Sequence, residues 1–325
     1  MRWLVSIALL LGLVAPAHAF DLQGHRGARG LAPENTLAAF DTALAIGVTT
    51  LELDIAMTKD GVLVVSHNRR LNPDHTRGPD GKFLEAEGPA IRSLTLAEVR
   101  QHDVGRLKPG TPYAADFAQQ RAVDGARIPL LAEVFALAVE RQVTHVRFNI
   151  ETKITPTSGA ETPDPEAFAA VLAKAIRDAG LVTRASIQSF DWRTLAAMKR
   201  IAPEIERVCL TAEALTLDTI RRGEPGPSPW TAGLDVDDFG GSVPRLVAAA
   251  GCQTWSPLYR NAKPDDIAAA KALGLKVIPW TVNERADMER LIALGVDGLI
   301  TDYPDRLRAV MAGKEMPLPP QAAAR

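Results

Sequence analysis

The chain has 325 residues, 46% of them hydrophobic, and a formal net charge of −2. That length exceeds the usual single-domain range but suits one α/β barrel, and the apolar share is enough for a large core. A charge this close to zero excludes a general electrostatic attraction to nucleic acid or to an anionic membrane.

The N-terminus reads as an export signal. Arg2 supplies a short positive region, and residues 3–14 form an apolar run too short to span a bilayer comfortably. Ala17-His18-Ala19 matches a small-x-small cleavage site, so residues 1–19 are expected to be removed and the mature chain to begin at Phe20. No stable membrane span is expected after cleavage, and the expected destination is the periplasm or the extracellular space. Cys209 and Cys252 are the only cysteines. An oxidising compartment permits a bond between them, while two buried free thiols fit the sequence equally well. No paired Cys/His spacing suggests zinc.

Short apolar runs then alternate with amphipathic stretches. Residues 21–25 are predicted as a strand. Pro33-Glu34-Asn35-Thr36 opens a helix with Glu34 or Asn35 as its cap, and Gly47 ends it. Residues 49–55 are a strand, Lys59-Asp60-Gly61 a hairpin turn and 62–66 the returning strand. The stretch 69–127 is rich in Pro, Gly and charge and reads as an insertion between barrel units. Helix 130–141 and strand 146–151 follow. Further on come helix 166–179, strand 185–189, helix 192–201, strand 207–211 and a helix over 215–222. Residues 223–241 are loop. Then come helix 243–250, strand 254–256, helix 265–273, strand 276–281, helix 285–294, strand 298–301 and helix 304–311. The tail 314–325 is expected to be disordered. Close to eight strand–helix units imply a parallel sheet with right-handed crossovers, and their number favours a closed TIM (β/α)8 barrel over 20–313. No Gly-x-Gly-x-x-Gly fingerprint supports a dinucleotide fold.

The chemistry-bearing residues fall at strand ends, which converge on one face of such a barrel. Glu52 and Asp54 lie two apart, so alternation puts both on one side and Leu51, Leu53 and Ile55 on the other. Glu151 can add a third oxygen ligand, and hard carboxylate oxygens favour Mg²⁺ or Ca²⁺. The same carboxylates could instead form a salt-bridge network with Arg26 and Lys153. His25 and His67 both follow strands and can divide the work of removing and delivering a proton. Arg26 offers a planar fork and Lys153 a point charge for phosphate oxygens. Trp280 and Phe190, the latter after Gln188-Ser189, could wall a ligand pocket or pack in the core. Asp302 reads as a cap for the last helix.

At these residues the chain resembles the glycerophosphodiester phosphodiesterase family. The resemblance rests on Gly24-His25-Arg26-Gly27, Pro33-Glu34-Asn35-Thr36, Glu52-Leu53-Asp54, Lys59-Asp60-Gly61, His67 and Glu151-Thr152-Lys153. It continues through Gln188-Ser189-Phe190, Trp280-Thr281-Val282-Asn283 and Gly295-Val296-Asp297-Gly298 to Asp302. The segments cover nearly the whole mature chain in the family's order. The resemblance implies a TIM barrel with a small insertion after the hairpin. It implies His25 and His67 as the acid/base pair, and Glu52, Asp54 and Glu151 as ligands of a divalent cation. Arg26 and Lys153 would contact phosphate, with Gln188, Phe190 and Trp280 toward the substrate. The implied reaction releases glycerol 3-phosphate and an alcohol from a small glycerophosphodiester. Two other readings are a phosphodiesterase for larger lipids, of the lysophospholipase D kind, and a periplasmic protein that binds phosphodiesters without cleaving them.

Overall fold

Eight parallel strands carry the site in this computed structural model, which describes residues 20–323; the expected signal at 1–19 lies outside the described residues. The strands are Asp21–Gly24, Thr50–Met57, Arg147–Thr152, Ala185–Ser189, Glu206–Thr211, Thr254–Pro257, Lys276–Val277 and Gly298–Thr301. They neighbour one another in that order, and the first also pairs with the last. Between the seventh and eighth, Asp297 N–H donates to Val277 O and Ile300 N–H to Pro279 O, so the ring is nearly closed. A helix follows each strand, as a TIM barrel requires. Leu51, Leu53 and Ile55 join the apolar layer between sheet and helices, leaving Glu52 and Asp54 the barrel side.

The first helix, Leu37–Ile46, differs from expectation at its start. Its cap is Thr36, whose hydroxyl accepts from Ala39 N–H, while Glu34 and Asn35 turn into the site. Residues 215–222 are not helical. Glu213–Ala214 and Leu217–Asp218 form a small antiparallel hairpin, consistent with the Leu-Thr-Leu-Asp alternation, and the Asp218 carboxylate then accepts from the N–H groups of Ile220 and Arg221. The seventh strand is shorter than predicted because Pro279 cannot donate to a ladder. The tail is docked, not disordered, through residue 323. Ala322 N–H donates to Leu44 O, Gln321 to Ala45 O, and Arg141 to Ala323 O.

The stretch 69–127 holds a 3₁₀ turn and the helices Leu96–Val99 and Pro112–Asp116. Its Leu71, Ile91, Val99 and Val104 form a small core with Ile128, just beyond it, against Ala56 and Val64 of the hairpin. Cys209 and Cys252 are joined as a disulfide with Cα atoms 5.9 Å apart, linking the fifth strand to the approach to the sixth. Among the described residues no helix is long and apolar enough to cross a membrane.

Candidate active site

The turn after the first strand admits few residues. A Cβ on Gly24 would meet Gly27 O at 2.1 Å, and one on Gly27, where φ is +85°, would meet Ala39 C at 2.6 Å. Arg26 between them is also left-handed, at φ 50°. This tight loop aims Arg26 N–H at Glu52 Oε2 (2.8 Å) and brings its guanidinium to Glu34 Oε1 (2.7 Å) and Asp54 Oδ2 (3.3 Å). The predicted salt-bridge network therefore exists. Lys153 Nζ lies 2.6 Å from Glu151 Oε1 and 3.5 Å from Asp54 Oδ1.

His25, Arg26, Glu52, His67, Glu151, Lys153, Gln188, Phe190 and Trp280 all line one cavity of about 160 Å³ at the C-terminal mouth of the barrel. Asp54 does not line it, but strand register sets Asp54 beside Glu151 and Glu151 beside Gln188. One oxygen each of Glu52, Asp54 and Glu151 lies within 4.8 Å of the others. Gln188 lines the cavity and also braces the carboxylates. Its Nε2 donates to Glu52 Oε1 (2.7 Å), and its Oε1 accepts from Asn149 Nδ2 (2.9 Å), so its amide orients the carboxylate.

Three observations fit a hard divalent cation at the carboxylate trio. Asp54 Oδ1 is buried with no hydrogen-bond partner. Burial, with Asp54 beside it, raises Glu52 well above the usual carboxylate range, and burial pushes Glu151 up to about 7 despite Lys153. Burial opposes ionisation of Asp54 as well, but Lys153 and Arg26 outweigh it and hold that carboxyl low. Counting Glu34 and Asp302, five carboxylates face Arg26, Arg29 and Lys153, so full ionisation leaves two negative charges, which one divalent cation balances.

Sequence reasoning missed the residues behind His25. Its Nδ1–H donates to Asp302 Oδ1 at 2.7 Å, which leaves Nε2 as the free acceptor on the cavity side, 3.9 Å from Glu52 Oε2. Asp302 does not cap the last helix; Arg29 grips both its oxygens (2.7 and 2.9 Å) and Asn283 donates to Oδ2 (2.7 Å). Burial lowers His25 to about 4, since Asp302 only partly offsets it. Burial, then Arg26 and Lys153, lower His67 well below the ordinary imidazole value. Both rings are thus neutral near pH 7. Tyr113, from the insertion, donates its hydroxyl to Glu34. A following Thr-Asp-Tyr-Pro after the last strand was the one signal available for Asp302.

Asp302→Asn is expected to lower kcat about 10- to 100-fold through loss of His25 orientation. It should also cost about 3 kcal/mol, because Arg29 is left buried without its counter-charge. Turnover below the melting point and a thermal melt would measure both; wild-type kcat in the variant would separate Asp302 from His25.

Taken with the barrel, two imidazoles, an arginine, a lysine and a carboxylate trio at one mouth fit a class, the phosphoric diester hydrolases built on a TIM barrel. The sequence pattern of the glycerophosphoryl diester phosphodiesterase family matches residues 25–306, and the chain belongs to that family. A glycerophosphodiester phosphodiesterase of Caldanaerobacter subterraneus subsp. tengcongensis is 32% identical over 283 residues, 87% of this chain and 94% of that protein. A Silicibacter pomeroyi protein assigned as a glycerophosphoryl diester phosphodiesterase superposes with a TM-score of 0.81 and 34% identity, covering 93% and 96% of the two chains. An Oleispira antarctica phosphodiesterase, solved with its product sn-glycerol-3-phosphate, shares the fold at a TM-score of 0.62 and 22% identity, covering 89% and 96%.

Proposed function

We propose that the protein is an exported, metal-dependent enzyme that hydrolyses glycerophosphodiesters to glycerol 3-phosphate and an alcohol, with His25 and His67 as the proton carriers. The observation that carries this reading is the convergence of His25, His67, Arg26, Lys153, Glu52 and Glu151 on one cavity. The product bound by the Oleispira relative supports glycerol 3-phosphate as the product here.

A cation held by Glu52, Asp54 and Glu151 would supply Lewis acidity, fixing the glycerol hydroxyls and lowering the pKa of the attacking one. Arg26 and Lys153 hold the phosphate oxygens and offset their charge. His25 Nε2 takes the proton of the glycerol 2-hydroxyl as its oxygen forms a new bond to phosphorus. The bond from phosphorus to the alcohol oxygen breaks, and protonated His67 delivers a proton to that oxygen. The phosphodiester's own negative charge favours His67 carrying that proton, against the depressing effect of Arg26 and Lys153. In the second half, His67 takes a proton from water, the water oxygen attacks phosphorus, and the cyclic P–O bond to O2 breaks. His25 then returns its proton to O2, and both rings regain their starting states.

A reaction on long-chain lipids would need a broad apolar rim, whereas the wider approach to the cavity mixes Phe190, Leu217, Trp230 and Trp280 with charged Arg69, Arg70, Glu87 and Glu161. Pure binding needs no acid/base pair. Export is supported by the N-terminal sequence and by the Cys209–Cys252 bond, which suits an oxidising compartment. Incubating the purified mature chain with glycerophosphocholine and glycerophosphoethanolamine, with and without each metal, tests the reading; no glycerol 3-phosphate under any condition rejects it.

Cation binding should also appear in stability. Without an ion, Glu151 keeps its proton in the folded state up to about pH 7, whereas the unfolded chain loses it near pH 4.5. A raised carboxyl therefore removes stability as pH rises between those values. Mg²⁺ or Ca²⁺ binds the ionised form and relieves this. The Tm gain on adding cation is expected to be several degrees larger at pH 8 than at pH 5; equal gains would count against the carboxylate trio.

A further inference from the structure

The inner cavity shares His67, Glu151, Lys153, Phe190 and Trp280 with a second, larger one of about 480 Å³. We propose that this outer chamber seats the departing alcohol and is built for a bulky, uncharged polyol, a cyclitol or sugar; the inference rests on the phosphodiester reading above.

The charges of the chamber are already matched. Arg69 lies 3.3 Å from Glu161, Arg70 lies 3.2 Å from Glu161, and Arg70 also lies 3.4 Å from Glu87. A cationic or anionic head group would find no uncompensated counter-charge among these four side chains. A hydroxyl both donates and accepts. It can donate to a carboxylate while accepting from the neighbouring guanidinium, with the pair left intact. Several hydroxyls on one ring can do so at once.

Phe190, Trp230 and Trp280 share the rest of the wall with Asn68, Ile154, Thr155 and Leu217. Phe190 meets Trp280 edge-on (centroids 5.2 Å, planes at 84°) and Trp230 likewise (6.5 Å, 76°). The Trp280 indole N–H is engaged inside the barrel, donating to Ser256 O at 3.0 Å, so the ring offers the chamber apolar surface. Such surface suits the C–H face of a ring polyol, one side of the ligand apolar and the other polar. Size agrees. A cavity of this volume lies in the range that encloses drug-sized ligands. An amino alcohol of a few heavy atoms would leave most of it to water.

The test compares kcat/KM for glycerophosphoinositol, glycerophosphocholine and glycerophosphoethanolamine in the wild type and in Trp230→Ala and Glu161→Gln. The inositol diester is expected to be preferred tenfold or more. Each variant should lose at least tenfold on that substrate, chiefly through KM, and stay within twofold on the ethanolamine diester. Thermal melts establish that the variants fold, and Glu161→Gln preserves shape should Trp230→Ala unfold. Hydrolysis of all three diesters without preference, a preference for either amine, or equal losses on every substrate overturns the polyol subsite alone. Failure of the wild type on all three overturns the reaction and the subsite with it.

Discussion

His25→Ala and His67→Ala are each expected to lower kcat by about 100-fold or more, the scale of lost general acid–base help. Folding should survive in both. Removing the His25 ring does not orphan Asp302, which Arg29 and Asn283 still hold. The double variant should be little worse than either single one, because the two rings serve one proton path. Their separate roles can be read from the leaving group. With a glycerophospho-p-nitrophenyl substrate the departing phenolate needs little protonation. His67→Ala should therefore recover much of its rate of p-nitrophenol release, the first half-reaction, while opening of the cyclic phosphate stays slow, whereas His25→Ala should release the phenol slowly as well. The inverse pattern would exchange the two assignments, and full turnover by the double variant would remove both rings from the chemistry.

Excess EDTA is expected to reduce turnover to about 1% or less, with recovery on adding Mg²⁺ or Ca²⁺. The physical reason is charge. Glu52, Asp54 and Glu151 are buried within a few ångströms of one another, and Arg26 and Lys153 neutralise them only in part once Glu34 is counted. Without an ion the trio retains protons, as the raised Glu52 and Glu151 carboxyls indicate, and the glycerol hydroxyls lose their anchor. Asp54→Asn should weaken the recovery, since it removes the negative charge of a buried carboxylate whose Oδ1 accepts no hydrogen bond. Activity unchanged in excess chelator would refute the metal role.

Much of the architecture was legible because its signals are local. The strands Ala185–Ser189 and Gly298–Thr301 and the helices Trp192–Ile201 and Val243–Ala250 lie at their predicted bounds, each marked by one run of apolar periodicity between turn residues. The helix read over 215–222 failed where two-residue strands pair across a tight turn, too short a pattern to outweigh nearby helix formers. Asn35 carries a side chain that caps helices as readily as threonine, yet Thr36 takes that place, while Glu34 and Asn35 turn inward. What turns those two inward is Arg26 and Asp54, both distant from a cap's local logic.

By itself the sequence determined the repeating strand–helix order, and with it the rule that residues at the strand ends share one face. It also determined which side chains could move protons, hold phosphate or bind a cation, since those are properties of residue type and of strand alternation. Only the tertiary structure decided which partners fix them: Asp302 behind His25, Gln188 and Asn149 behind Glu52, Tyr113 of the insertion against Glu34. Those pairings join groups as much as 277 positions apart. No local periodicity encodes them: Asp302 reaches His25 because closure of the barrel brings its first and last strands side by side, Gln188 reaches Glu52 across the intervening strand, and Tyr113 reaches Glu34 by the folding of the insertion.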